Sequence, residues 1–327
     1  MSGLDPVLSD FKADVERAEH LLVLVKTFRE FGASVPTPRN AAEADPWPAS
    51  TSLHDASKLR RTDLPVLSGS LQLYLAGRFE YCIRQVVEVV ADEVATRAMK
   101  YIDLPEAIRH ELKIKTLEIA QNPRRYGYDD GQIDALLAAL VASTGCTAPP
   151  VSINSAVLSL TDSNMKARIL ADLLKRVGMQ DFWRDVGKQT TMKLALDKTT
   201  DGEATAEAQA RLNAIMDERN QVAHPTSTTQ FPDPDQVLKA AHFLKTLAAT
   251  AVDLAKVYLA AYKPVGPQYC RFRGIVPLGS IPTTCSANSV DASDGQARVA
   301  PPQPLCCRRE RGWAPGDHGV RTVCFGA

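Results

Sequence analysis

The strongest constraint on the fold is the wide apolar face carried by residues 66 to 101. Apolar side chains recur there with spacings of three and four, at Leu71, Leu75, Phe79, Cys82, Ile83, Val86, Val87 and Val90. An α-helix brings residues with these spacings to one side. A face this wide needs burial on two sides, so the chain is expected to fold around a long central helix of a bundle.

The remaining patterns are also helical, and no strand period dominates anywhere. Asp162, Ser163 and Asn164 are expected to cap a helix that begins near Met165. Further helices are predicted near residues 4–32, 103–120, 133–141, 182–186, 203–223 and 233–258. For the last of them, Asp233, Pro234 and Gln236 supply the cap, the first position and the capping box. The expected fold class is all-α.

Composition divides the chain into four predicted parts. Residues 1–32 form an N-terminal helix, and residues 33–65 form a linker or loop rich in Pro, Ala and Ser. Residues 66–262 form the helical domain. Residues 263–327 are rich in Pro, Gly, Ser, Cys and Arg without a sustained period, which predicts a low-complexity, disordered tail.

Charge, hydropathy and cysteine spacing argue against a strongly basic nucleic-acid-binding protein, a membrane or secreted protein, and a zinc-binding protein. Lys plus Arg and Asp plus Glu both number 38, so an RNA or DNA partner would need a local basic surface. No apolar run is long enough to span a bilayer, and the first residues lack a secretory pattern. We therefore expect a cytoplasmic protein without a membrane partner. Five of the seven cysteines lie in the tail without Cys-x-x-Cys spacing, so no metal site is predicted.

One residue breaks the apolar stripe of the helix predicted at 203–223. Leu212, Ile215 and Met216 form the stripe, and the next position along it is Arg219. An Arg is rarely buried unless a partner pairs with it. Asn220 and His224 lie beside the stripe, and the following Pro225 disfavours helix at His224. An Arg, an Asn and a helix-end His therefore converge on one edge.

These residue types suit RNA cleavage by the 2′-hydroxyl, and this chemistry needs no metal. A His near neutral pKa can move protons, and an Arg braces phosphate through its forked donors. Asn220 could orient His224 or donate to phosphate. One His cannot easily act as both base and acid, and five helical residues turn Arg219 and His224 in different directions. Either the helix end distorts at Pro225, or two protomers share the site.

Simpler readings stay open for each candidate. Arg219 could pair with a buried acid, and His224 could be a cation at the helix C-terminus. Glu80 could belong to a surface ion-pair pattern or support a site. The turn with Arg124, Arg125 and Tyr126 could bind RNA by stacking and phosphate contacts, or it could be an ordinary exposed turn.

Residues 219–224, Arg-Asn-Gln-Val-Ala-His, resemble the R-N-x-x-[AV]-H signature of HEPN domains. We call these six residues the motif. Its setting agrees, since it ends a penultimate long helix and a capped final helix follows. The segment 68–93, with Leu-Ala-Gly-Arg-Phe-Glu at 75–80, is similar to the first core helix of the RiboL-PSP-HEPN and MAE_28990-type groups. The resemblance covers roughly residues 66 to 260.

The resemblance implies a HEPN-type helical bundle that dimerises with the motifs of two protomers apposed. Many HEPN domains are metal-independent endoribonucleases of prokaryotic toxin or defence systems that leave 2′,3′-cyclic phosphate and 5′-hydroxyl ends. Arg219 and His224 would then be catalytic, Asn220 would assist, and Glu80 would support them. No cofactor is implied. The implied partners are an RNA substrate, a second copy of the chain, and an antitoxin or defence-system protein.

Two other functions remain as alternatives. The first is a non-catalytic HEPN module that binds RNA or a partner protein, which the neutral net charge favours. The second is a structural helical protein in which the motif is coincidental. The intact Arg219, Asn220 and His224 favour the nuclease.

Overall fold

The computed structural model describes residues 3–35, 48–59, 63–146, 151–161 and 163–263. The chain divides into Met1–Cys270 and Arg271–Ala327, and every described residue lies in the first unit. The described residues form helices and turns without a strand, which confirms the all-α class. The predicted tail lies outside the described residues, apart from Lys263.

Eleven α-helices, α1 to α11, make up the described part of the chain. In order they span Leu4–Ala33, Pro48–Leu59, Leu64–Arg97, Glu106–Gln121, Asp130–Thr144, Ala156–Ser159, Ala167–Arg176, Phe182–Lys188, Thr190–Leu196, Asp201–Ala223 and Pro234–Ala261. Short 3₁₀ turns occur at Tyr101–Asp103 and Pro123–Tyr126. None of these helices is long and apolar enough to cross a membrane.

Helix α3 is the central helix that its wide apolar face predicts. It packs against α1 and α11, and it also contacts α10. Leu75, Phe79 and Ile83 are fully buried in it, and Phe79 meets Phe11 of α1 edge to face. The burial of the α3 side chains on several sides explains why apolar residues cover so much of its circumference.

The final helix begins as the sequence predicts. The Asp233 side chain accepts from the backbone N–H of Asp235, and the Gln236 side chain accepts from that of Asp233. Pro234 occupies the first turn. These local hydrogen bonds satisfy the free amides of the helix start, so short-range sequence signals suffice to place it.

The predicted linker at 33–65 contains a helix, α2, which the Pro, Ala and Ser content did not indicate. It packs along α1. Gly32 approaches it closely, because a Cβ there would lie 2.7 Å from the Ser57 carbonyl carbon. The His54 ring also lies 3.0 Å from the Ser34 carbonyl oxygen. The division of the chain into four parts stays a prediction, although α1 shares the core with α3 and α11.

A buried carboxylate joins α1 to α3. Asp14 is 6% exposed and accepts hydrogen bonds from Tyr74 at 2.6 Å, from Arg17 at 2.7 Å and from Arg78. Burial by itself raises the pKa of Asp14. The hydrogen bonds from Tyr74 and Arg78 outweigh burial, so the pKa of the carboxyl group lies below its ordinary value.

The expected cap of α7 is wrong. The helix begins at Ala167, and Lys166 at its N-cap makes no side-chain capping bond. The Asn213 side chain of α10 instead accepts from the Ala167 backbone N–H at 2.9 Å. A residue from another helix takes the capping role, so the Asn164 side chain can bond elsewhere. Asp162 lies outside the described residues.

Candidate functional site

Helix α10 carries the motif at its C-terminal end. Leu212, Ile215 and Met216 are buried, as the stripe predicts, and Arg219 is half-buried. The helix ends at Ala223, and His224 follows with φ −127° and ψ 66°. The His224 backbone N–H still donates to the Asn220 carbonyl at 3.0 Å. The chain therefore leaves the helical path at His224, one residue before Pro225.

Arg219 and Asn220 form a hydrogen-bonded cluster with Asn164. Arg219 Nη1 donates to Asn164 Oδ1 at 2.7 Å and to Asn220 Oδ1 at 3.2 Å. Asn164 Nδ2 donates to Asn220 Oδ1 at 2.6 Å. Asn164 lies in the segment before α7, 55 residues from Arg219 along the chain. Packing of α7 against α10 thus completes the cluster.

No carboxylate pairs with Arg219 among the described residues. The neighbouring acids are engaged elsewhere, since Asp217 pairs with Lys166 at 2.5 Å and Glu218 accepts from Gln72 at 2.8 Å. Among the described residues, Arg219 therefore does not pair with a buried acid, which was one of the two alternatives for it. Both side chains that accept from the guanidinium are neutral amides, so the site keeps a positive charge.

The His224 side chain is exposed and makes no hydrogen bond to Arg219 or Asn220 within the described residues. It begins the loop between α10 and α11, in which Thr226 and Thr229 bond to each other. The described residues therefore bring Arg219 and Asn220 together and leave the imidazole apart. A helix-end cation remains an alternative for His224.

Glu80 lies apart from the motif in the described structure. Its Oε1 accepts from Arg84 at 2.6 Å and from Thr161 at 3.4 Å. Gln72, which bonds Glu218 near the end of α10, lies about 12 Å from Glu80 towards the N-terminus of α3. Thr161 belongs to the segment that carries Asn164, so Glu80 contacts that segment and not Arg219 or Asn220. A supporting role for Glu80 stays a prediction.

The basic turn is the 3₁₀ segment between α4 and α5. The Tyr126 hydroxyl donates to Glu118 at 2.5 Å, and the Arg125 guanidinium lies 5.9 Å from the Tyr126 ring centroid. Hydrogen bonds from Lys115 and then Tyr126 lower the pKa of Glu118. Arg124 and Arg125 are exposed. No described hydrogen bond joins this turn to the motif, and its RNA-binding role stays a prediction.

The sequence did not single out Asn164 as a site residue. Its only local signal is a short polar run before an apolar helix, which predicted a cap instead. The residue that caps α7, Asn213, lies on α10, and this exchange of roles depends on how two helices pack. Nothing in the local spacing around Asn164 reports that arrangement.

A family model, described as RiboL-PSP-HEPN, matches residues 50–256, which is more than half of the 327 residues. The match begins inside α2 and ends inside α11, so it contains the motif and Asn164 and excludes α1. No curated protein matches the chain significantly, and no solved structure does so either.

Proposed function

Because the chain belongs to the RiboL-PSP-HEPN family, we propose that it is a metal-independent endoribonuclease. It cleaves RNA by attack of a 2′-hydroxyl on the adjacent phosphorus and leaves 2′,3′-cyclic phosphate and 5′-hydroxyl ends. The observation that carries the proposal is the un-neutralised Arg219 guanidinium held beside Asn220 at the end of α10.

Arg219 supplies positive charge for the phosphate. Charge builds up on the non-bridging oxygens as the 2′-oxygen attacks, and a fixed guanidinium stabilises that charge without having to reorient. A carboxylate partner would cancel much of this field, whereas amide oxygens do not. Hydrogen bonds between charged guanidinium and phosphate groups are also stronger than neutral ones.

His224 moves the protons of the reaction. One imidazole takes the 2′-hydroxyl proton as the P–O bond to the 2′-oxygen forms. A second imidazole gives a proton to the 5′-oxygen as its bond to phosphorus breaks, so the charges balance. Since one His224 cannot readily do both, the partner subunit's His224 provides the other in a homodimer with apposed motifs.

An exposed apolar surface beside the motif supports this dimer. Val66 and Leu67 are 46% and 51% exposed in the first turn of α3. The next turn holds Gly69, where a Cβ would lie 2.7 Å from the Phe231 ring and 3.0 Å from Val222. Both of those residues belong to the end of α10 or the segment after it. A second protomer that covers Val66 and Leu67 would therefore also approach the motif.

The proposed setting is the cytoplasm of a prokaryote, where the nuclease acts as a toxin or in antiviral defence. An antitoxin or another defence-system protein would restrain or trigger it. This setting follows from what HEPN domains commonly do.

Cleavage of total RNA in the presence of EDTA tests the activity. Arg219→Ala should lose about 100- to 1,000-fold in rate through the missing phosphate charge. His224→Ala should lose at least about 100-fold through the missing proton transfer. Mass spectrometry of the fragments should find 2′,3′-cyclic phosphates.

Two matched variants control for general effects. Arg211→Ala removes an exposed Arg of the same helix that pairs with Glu207, and His242→Ala removes an exposed His of α11. Both should cleave like the unaltered chain. Equal cleavage by all variants would remove the nuclease assignment of Arg219 and His224. RNA binding without cleavage on several RNAs would favour the non-catalytic module.

A further inference from the structure

We propose that Asn164 is a positioning residue of this site, one that fixes the directions of both Arg219 and Asn220 towards a phosphate. The inference rests on the proposed function and adds a residue to it from outside the motif. It follows from the three hydrogen bonds among these side chains and from the chemistry of the amide group.

Only one orientation of the two amides satisfies all three bonds. Asn220 Oδ1 receives donors from both Arg219 Nη1 and Asn164 Nδ2, at 3.2 and 2.6 Å. A flip of the Asn220 amide would place its NH₂ against two donors, and a flip of Asn164 would face its NH₂ to the guanidinium. Asn164 therefore holds the Asn220 Nδ2 group away from the cluster, where it can donate to a ligand.

The same bonds orient Arg219. Its Nη1 group donates to both amide oxygens, which leaves Nε and Nη2 without a partner among the described residues. Neither atom is buried without a hydrogen bond, so both are accessible to solvent. The Nε and Nη2 edge is one that can bind two phosphate oxygens side by side.

Asn164 is itself held firmly enough to position other groups. The next residue, Met165, is fully buried. Lys166 pairs with Asp217, and the Ala167 backbone N–H donates to Asn213, so two contacts fasten this segment to α10. An amide at position 164 also adds no charge, whereas an acid there would neutralise Arg219.

Cleavage kinetics of Asn164→Ala and Asn164→Asp test the inference. Asn164→Ala should lower kcat by about 10- to 100-fold, because small misplacements of catalytic groups have effects of this size. Asn164→Asp should be as slow as Arg219→Gln, since the carboxylate pairs with the guanidinium and cannot donate to Asn220. Arg168→Ala removes an exposed side chain of α7 that pairs with Asp172, leaves the contacts of Asn164 in place, and should stay near the unaltered rate.

A double-mutant cycle separates positioning from general destabilisation. If Asn164 acts through Arg219, Asn164→Ala should add little to the loss already caused by Arg219→Gln. Fully multiplicative losses would overturn the inference, and so would equal rates for Asn164→Ala and Arg168→Ala.

A readout that needs no RNA keeps the inference testable if the chain proves inactive. In ¹H–¹⁵N spectra of the full chain, the Arg219 Nε–H and Asn220 side-chain amide signals can be assigned from their loss in Arg219→Lys and Asn220→Asp. Both signals should shift in Asn164→Ala and stay in place in Arg168→Ala. Unchanged signals in Asn164→Ala would overturn the positioning role, whereas absent cleavage alone would count only against the nuclease.

Discussion

Replacement of Asp14 by Asn tests whether α1 is an integral part of the folded domain. Asp14 of α1 accepts from Tyr74 and Arg78 of α3 and from Arg17 of its own helix. The family match begins only at residue 50, so this contact joins the matched region to a helix that precedes it. Asn keeps the shape but turns an NH₂ group towards donors.

The size of the effect follows from the exposure of each partner. Hydrogen bonds that involve a charged group contribute about 1.5 to 3 kcal/mol each when they are shielded from water. The Arg17 side chain is 63% exposed, so solvent screening leaves its pair with Asp14 a minor part of the total. Tyr74 and Arg78 carry the rest, and we expect Asp14→Asn to destabilise the domain by about 3 kcal/mol.

Thermal and urea unfolding at several pH values measure this effect. At this domain size, 3 kcal/mol corresponds to a Tm lower by roughly 6 to 12 °C. Because the pKa of Asp14 is lowered in the folded state, its contribution is present above its unfolded pKa of about 3.9 and is lost as pH falls through the folded pKa. The difference between the two proteins should therefore be constant from pH 7 to about pH 5 and shrink below pH 4.

Arg17→Ala is the control, because it removes only the exposed partner. The reasoning is refuted if Asp14→Asn destabilises the domain no more than Arg17→Ala does at pH 7. It is also refuted if the destabilisation is as large at pH 3 as at pH 7, since pH 3 lies below the unfolded pKa and part of the ionic contribution should then be lost.

Two further predictions concern the proposed dimer surface and the packing of α8 against α10. Leu67→Glu should yield a folded monomer that cleaves RNA more slowly. Val141→Glu, at a 70% exposed position of α5, should remain a dimer with the unaltered cleavage rate. Light scattering that finds the same mass for these two variants would contradict the prediction. Gly187→Ala should lower the unfolding free energy by about 1 to 3 kcal/mol, since its Cβ would lie 2.1 Å from Thr205 Oγ1. Gly202→Ala, which faces open space, should be neutral or stabilising in the same thermal melts.

The elements that the sequence predicts well have local causes. Asp233, Pro234 and Gln236 start α11 through bonds within one helical turn, and the wide face of residues 66–101 requires a central helix. The motif also has a local signal, because Arg219 interrupts a periodic stripe. Signals of this kind lie within a few residues of the feature that they report.

The elements that the sequence misses depend on distant partners. Helix α2 packs along α1, whereas its Pro, Ala and Ser content is typical of a loop. Asn164 precedes the start of α7 and Asn213 lies in the middle of α10, yet Asn213 caps α7 and Asn164 bonds Arg219. No periodicity or spacing distinguishes these two roles, because both depend on how α7 lies against α10.

The first and last described helices are neighbours, and this has a consequence for synthesis on the ribosome. Near the end of α1, Lys26 and Arg29 pair with Asp235 and Asp233 at the start of α11. Such pairs join residues more than 200 positions apart. Helix α11 also packs its buried side chains against α1 and α3, so the core is incomplete before α11 has emerged. A nascent chain that ends after α10 already holds the complete motif but lacks the helix that closes the core. We therefore expect the packed site to form only after α11 has been synthesised.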